Sequence, residues 1–150
     1  MSKYASLAVF AAMTVAASLF GTNFMPDAWY AALNKPGWTP PDWLFGPVWT
    51  VLYVMIALAG WYAWRTLGVS AAVVVWVVQM GLNGLWSFLM FGQKDITLAL
   101  VDIVVLLALI LAFIGLTWRS VTTAAVLFVP YAVWVAFATA LNFALWQLNG

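Results

Sequence analysis

The chain contains no histidine and no cysteine, and only five basic and four acidic residues in 150. Without His or Cys there are no ligands for a zinc, iron–sulfur or His-ligated haem site. No Ser-His or Cys-His pair exists for nucleophilic catalysis, and no disulfide reports on compartment. No glycine-rich phosphate loop precedes a helix, and the basic residues are too few and scattered for nucleic acid. The acidic residues Asp27, Asp42, Asp95 and Asp102 do not pair within one segment for acid–base work. No metal site and no cofactor is implied. Charged residues make up 6% of the chain, against about a quarter in a soluble domain.

What is present is apolar and aromatic: 67% hydrophobic residues and 11 tryptophans. The few charges act as punctuation. Residues 4–25, 43–64, 66–93 and 120–150 carry none, and 96–118 carries only Asp102. A hydrocarbon core of ~30 Å needs roughly 20 apolar residues in a helix, so each run spans once and none spans twice. The runs are continuously apolar, whereas barrel strands alternate over about ten residues. The expected fold is an all-α integral membrane protein, a five-transmembrane-helix bundle forming one membrane domain over 1–150. Its spans are about 4–25, 44–65, 70–92, 96–118 and 121–147. Lys3 and the first apolar run resemble a secretory signal, but the run continues to Met25, beyond the roughly 7–15 residues of a signal core. Lys3, Arg65 and Arg119 fall on one side, Lys35 and Lys94 on the other, a weak bias toward a cytoplasmic N-terminus.

One connection is long. Residues 26–43 carry Pro36, Pro40 and Pro41, which restrict the backbone and stiffen the loop. It presents Trp29, Tyr30, Trp38 and Trp43 at the membrane surface. Trp29, Trp43, Trp61, Trp64, Trp118 and Trp146 lie near run ends and read as an interfacial aromatic belt. For Tyr30 and Trp38, set among prolines, both a belt and a lid over a site fit.

Helical spacing then picks out faces. Trp49 and Tyr53 share one on the second span, and Gln79, Asn83, Trp86 and Ser87 share one on the third. Tyr131, Trp134, Ala138 and Asn142 share one on the fifth, where Pro130 removes a backbone hydrogen bond and predicts a kink. Amides and mid-span indoles need partners because lipid offers none. Polar glue between helices and a ligand pocket both satisfy that need. Asp102, the one ionisable residue inside a span, reads as a structural hydrogen-bonded carboxyl. Alanine stripes at Ala8, Ala12, Ala16 and at Ala132, Ala136, Ala140, Ala144 permit close helix approach, within the bundle or between copies.

The ensemble Trp29-Tyr30, Leu33, Lys35-Pro36, Trp38, Pro40-Pro41, Trp43, Gly46-Pro47-Val48-Trp49 and Leu52-Tyr53 resembles the first loop and second helix of the translocator protein family (TspO/MBR). That family is also called tryptophan-rich sensory protein or peripheral benzodiazepine receptor. The likeness continues through Gln79, Asn83, Trp86, Phe91-Gly92 and Ala99-Leu100-Val101-Asp102. It ends with Pro130-Tyr131, Trp134, Phe137-Ala138-Thr139 and Leu141-Asn142-Phe143. The resemblance implies a multi-pass bundle, commonly a homodimer among membrane lipids, with a pocket beneath the first loop. It implies a porphyrin such as protoporphyrin IX, or another apolar small molecule, as partner, and in bacteria a sensory role linked to tetrapyrroles. Carried over by position, the pocket comprises Tyr30 and Pro40 of the lid, Trp49, Tyr53, Asn83, Trp86, Trp134 and Ala138. Trp38 joins them as the lid residue read from the loop itself. Trp49 and Trp134 are the pair the resemblance links to porphyrin degradation.

The sterol-recognition segment of animal members is broken here: Phe143 stands where that pattern has Tyr, and Gln147 where it has a basic residue. The broken segment argues against high-affinity cholesterol binding, but not against a lipid resting on that face, and the resemblance is to a bacterial-type member. Receptor or sensor, porphyrin-degrading enzyme, and transporter of porphyrins or lipids are the functions to separate. The lack of broken-helix pairs and the odd span count weigh against transport, and the lack of acid–base groups weighs against a conventional enzyme.

Overall fold

The computed structural model describes residues 2–150. In chain order it has α1 (Lys3–Gly21), a short α2 (Ala28–Ala32) inside the first loop, and α3 (Phe45–Leu67) led in by a 3-10 turn at Asp42–Leu44. Then come α4 (Ala71–Ser87), continued by a π turn at Phe88–Gly92, α5 (Ile96–Thr117) and α6 (Thr122–Asn149). All but α2 are long and apolar enough to cross a membrane. Among the described residues there is no strand.

The polar residues between the apolar runs are helix caps. Ser2, Asp27, Ser70 and Asp95 each accept a backbone N–H three residues on, from Ala5, Tyr30, Val73 and Leu98. Each satisfies a donor that the first helical turn leaves free. Gly68 closes α3 at φ 60°, a conformation that favours glycine, while its N–H bonds Trp64 O at 2.8 Å. α1 stops at Gly21, short of Met25, because Thr22 and Asn23 donate back to the carbonyls of Leu19 and Phe20. α6 runs through Pro130 as one helix.

The spans close into a ring: α1 packs on α3 and α4, α3 on α6, α6 on α5, and α5 on α4. The ring has two unlike halves. In the half away from the first loop, Ile56, Ala59, Trp76, Ile110, Phe113, Ala124 and Phe128 are wholly buried. α1, α3 and α4 meet there through one indole. Trp76 stacks edge-on to Phe10 at 4.9 Å and donates to the Ile56 carbonyl at 2.9 Å. It lies against Gly60, where a Cβ would come within 2.5 Å of the ring.

Two readings change at this level. Trp61 is not a belt residue: it is 7% exposed, and its indole donates to Lys3 O and Ser6 Oγ on α1. Its polar edge finds a partner within the ring, so it has no need of the interface. Asp102 is buried, and among the described residues neither carboxylate oxygen has a hydrogen-bond partner. No described protein group fills the hydrogen-bonded role expected for it. Ala8, Ala12 and Ala16 lie on the outer face of α1 rather than between helices.

Candidate functional site

The half of the ring below the first loop is hollow. A cavity of about 220 Å³ is lined by the end of α1, the start of α3, the end of α4 with its π turn, Ile103 and Leu106 of α5, and the last half of α6. Phe24, Met25, Pro26 and Tyr30 cover it from the loop. No charged side chain lines it.

A hydrogen-bonded chain forms its floor, where the hollow half meets the packed one. Tyr53 Oη donates to Asn83 Oδ1 at 2.9 Å, and Asn83 Nδ2 donates to Tyr131 Oη at 2.7 Å. Tyr131 Oη donates to Gln79 Oε1 at 2.8 Å, and Gln79 Nε2 donates to Trp76 O at 2.9 Å. Three helices are thereby joined through groups that would otherwise be unpaired in an apolar medium. On one wall Trp86 Nε1 donates to Asn142 Oδ1 at 2.9 Å, and Asn142 Nδ2 donates to Ile96 O at 3.2 Å. These bonds are polar glue between helices, one of the two roles open to Gln79, Asn83 and Asn142 from their spacing, while Asn83 and Asn142 also line the cavity.

Another part of the lining is aromatic. Trp49 and Trp134 meet edge to face, with ring centroids 6.4 Å apart and planes at 88°. Trp49 also stacks on Tyr53 at 5.5 Å, and Phe45 meets Trp134 at 5.8 Å. The indole N–H of Trp134 is buried without a hydrogen-bond partner, a cost that a ligand or a turn of the ring would relieve.

The lid is built locally. Asp27 caps α2, and Lys35 donates to the carbonyls of Ala31 and Leu33 while its ammonium sits 4.7 Å from the Tyr30 ring. Tyr30 is 3% exposed and packs edge-on to Phe91 at 5.5 Å. Burial, with the negative charge of Asp42 second, pushes its phenol above the ordinary value. Gly92, in the π turn, leaves room for Phe24: a Cβ there would lie 2.8 Å from that ring.

Of the residues named from sequence, Tyr30, Trp49, Tyr53, Asn83, Trp86, Trp134 and Ala138 line this one cavity. Trp38 and Pro40 are not in its lining. Trp38 instead meets Phe137 edge-on at 5.6 Å, and Phe137 stacks on Trp134 at 5.6 Å. Ser18 and Gly21 of α1 and Thr22, its C-cap, were not anticipated. Their spacing puts small residues, two of them hydroxylic, on one face at the end of the span, which is the one signal they give.

A family-wide sequence profile described as the TspO/MBR family matches residues 5–147. The tryptophan-rich protein TspO of Archaeoglobus fulgidus is 40% identical over 148 residues, covering 97% of this chain and 95% of that protein. The tryptophan-rich sensory protein of Cereibacter sphaeroides is 36% identical over 97% of this chain and 92% of its own. The translocator protein of Homo sapiens is 39% identical over 127 residues, 81% of this chain and 75% of that one.

Proposed function

The chain belongs to the TspO/MBR family and is an integral, multi-pass membrane protein, and from that premise we propose that it is a membrane receptor or sensor for tetrapyrroles. Protoporphyrin IX and related apolar ligands enter the cavity beneath the first loop. The observation that carries this reading is the uncharged cavity walled by the crossed indoles of Trp49 and Trp134. One indole face can stack on a flat conjugated ring while the other, at right angles, meets that ring edge to face. The name of one relative, a tryptophan-rich sensory protein, supports a sensory role in a membrane. Light-dependent porphyrin degradation is a secondary activity that depends on Trp49 and Trp134, with dissolved dioxygen as the oxidant that the photoexcited macrocycle consumes. The cavity volume of about 220 Å³ is below the roughly 300–1,000 Å³ of ordinary ligand pockets. A macrocycle therefore displaces the loop as it binds.

The test is a dark titration of purified protein with protoporphyrin IX, followed by tryptophan quenching and then illumination. The wild type is compared with Trp49→Phe/Trp134→Phe. Saturable dark binding at one site per chain, with light-driven loss of porphyrin absorbance abolished in the double variant, is expected. Linear quenching unchanged by the substitutions means that porphyrin only partitions into detergent, and the reading fails.

A further inference from the structure

On the reading above, the first loop moves as a macrocycle enters, so the bonds that hold it down bear on entry. Its hydrogen bonds are almost all internal. Tyr30 N–H goes to Asp27, Lys35 to Ala31 and Leu33, and Thr39 to Pro36. Apart from the turn bonds at its two ends, Phe24 N–H to Gly21 O and Leu44 N–H to Pro41 O, the hydrogen bonds that tie residues 24–41 to another part of the bundle all go, among the described residues, to one side chain, the amide of Asn149 in the last turn of α6. Asn34 N–H donates to Asn149 Oδ1 at 2.9 Å, and Asn149 Nδ2 donates to Asn34 O at 2.8 Å. The second Nδ2 hydrogen goes to Leu145 O at 2.9 Å, which fixes the amide on its own helix. A carboxamide pairing with both the N–H and the C=O of one residue is a two-point clasp with defined geometry.

The clasp sits where release is easy. Asn34 is exposed and Asn149 half-buried, so water replaces both bonds once they part. The aromatic contacts of Tyr30 with Phe91 and of Trp38 with Phe137 then slide without losing a directional bond. The pair lies 115 positions apart in the chain, at the junction of the lid and the helix that carries Trp134 and Ala138.

We propose that Asn149 is a positioning residue, the latch of the lid: its side-chain amide clasps the Asn34 backbone and sets how often the cavity opens. This rests on the ligand-binding reading above, but the latch itself is measurable without ligand. The clasp is asymmetric, because Asn149 contributes its side chain and Asn34 only its backbone. Asn149→Ala therefore opens the lid and Asn34→Ala does not. Two exposed hydrogen bonds of ordinary net strength correspond to about a tenfold change in the opening equilibrium. Asn149→Asp keeps the acceptor for Asn34 N–H but loses both donors, and falls between.

Two readouts on purified protein decide it. The first is amide hydrogen exchange without ligand. The Asn149→Ala variant should exchange residues 27–39 about tenfold faster than wild type, with α3 to α6 unchanged and Asn34→Ala like wild type. The second is stopped-flow protoporphyrin IX binding in the dark. Association and dissociation should both accelerate in Asn149→Ala, so that the rates move more than their ratio. Unchanged exchange in Asn149→Ala, or an equal effect of Asn34→Ala, overturns the latch. Faster exchange with unchanged porphyrin rates overturns its control of entry while saturable binding persists. If wild type shows no saturable binding, the ligand reading fails, and control of entry with it. Exchange alone then confirms or overturns the clasp.

Discussion

Gly60 and Gly81 lie in neighbouring spans, in helices of similar apolar character, and the same substitution should move them in opposite directions. Replacing a mid-helix glycine with alanine favours the helix by about 1 kcal/mol. At Gly81 nothing lies within 4 Å of the new Cβ, so that gain is kept. At Gly60 the Cβ would sit 2.5 Å from Trp76 Cε2, 2.6 Å from its Nε1 and 2.7 Å from Phe10 Cδ1. Ordinary carbon contacts are about 3.5–4.0 Å. Trp76 is wholly buried and cannot withdraw without loosening its 2.9 Å bond to the Ile56 carbonyl. Overpacking costs about 1–3 kcal/mol and a stranded buried polar group about 1–3 kcal/mol, so Gly60→Ala should lose about 1–5 kcal/mol net. Unfolding in a common detergent, followed by far-ultraviolet circular dichroism and tryptophan fluorescence, measures both variants. If Gly60→Ala matches or exceeds wild-type stability, the Trp76 wedge is not where the helices lock.

Other predictions follow from the same geometry. Trp86→Phe strands Asn142 Oδ1 and should cost about 1–3 kcal/mol, whereas the Trp134 N–H has no partner to lose. In unfolding titrations Trp134→Phe should be the milder change. Asp102→Asn removes an ionisable group from a buried place that offers it no donor, so its unfolding midpoint should equal or exceed wild type. Tyr30 has a raised phenol pKa, so the folded state favours its protonated form. That contribution is complete below the unfolded value of about 10 and is lost as pH rises further. The tyrosinate absorbance of wild type minus Tyr30→Phe at pH 10 should accordingly show less than half a tyrosinate. The floor of the cavity rests on wholly buried side chains, so sealed vesicles should show saturable porphyrin binding without flux to the far side.

The spans were legible because the bilayer imposes one length and one polarity, and because every charged residue except Asp102 falls at or beyond the end of an apolar run. Asp27 and Asp95 stand at those ends as caps. The faces of Trp49 and Tyr53, or of Tyr131, Trp134 and Ala138, were legible because helical spacing fixes them within one span. The order of spans around the ring was not. Spacing does not say that α1 packs on both α3 and α4, so the share of Ser18, Gly21 and Thr22 in the cavity was hidden. Trp61 was misplaced for the same reason, since nothing in its own span reveals Lys3 O and Ser6 as partners. The position of Trp38 outside the cavity lining depends on how a proline-stiffened loop folds back. Local backbone preferences alone do not determine that.

On the proposed function, a flat apolar ligand occupies the hollow half of the ring. Filling that space while sparing both indoles tests it most directly. Ala138 lines the cavity, while Ala136, two residues earlier on α6, is exposed on the outer face. Dark protoporphyrin IX isotherms for Ala138→Phe and Ala136→Phe should separate, with affinity falling at least about tenfold, or ~1.4 kcal/mol, in the first and staying at wild type in the second. Undiminished saturable binding to a correctly folded Ala138→Phe would place the ligand elsewhere and contradict the account.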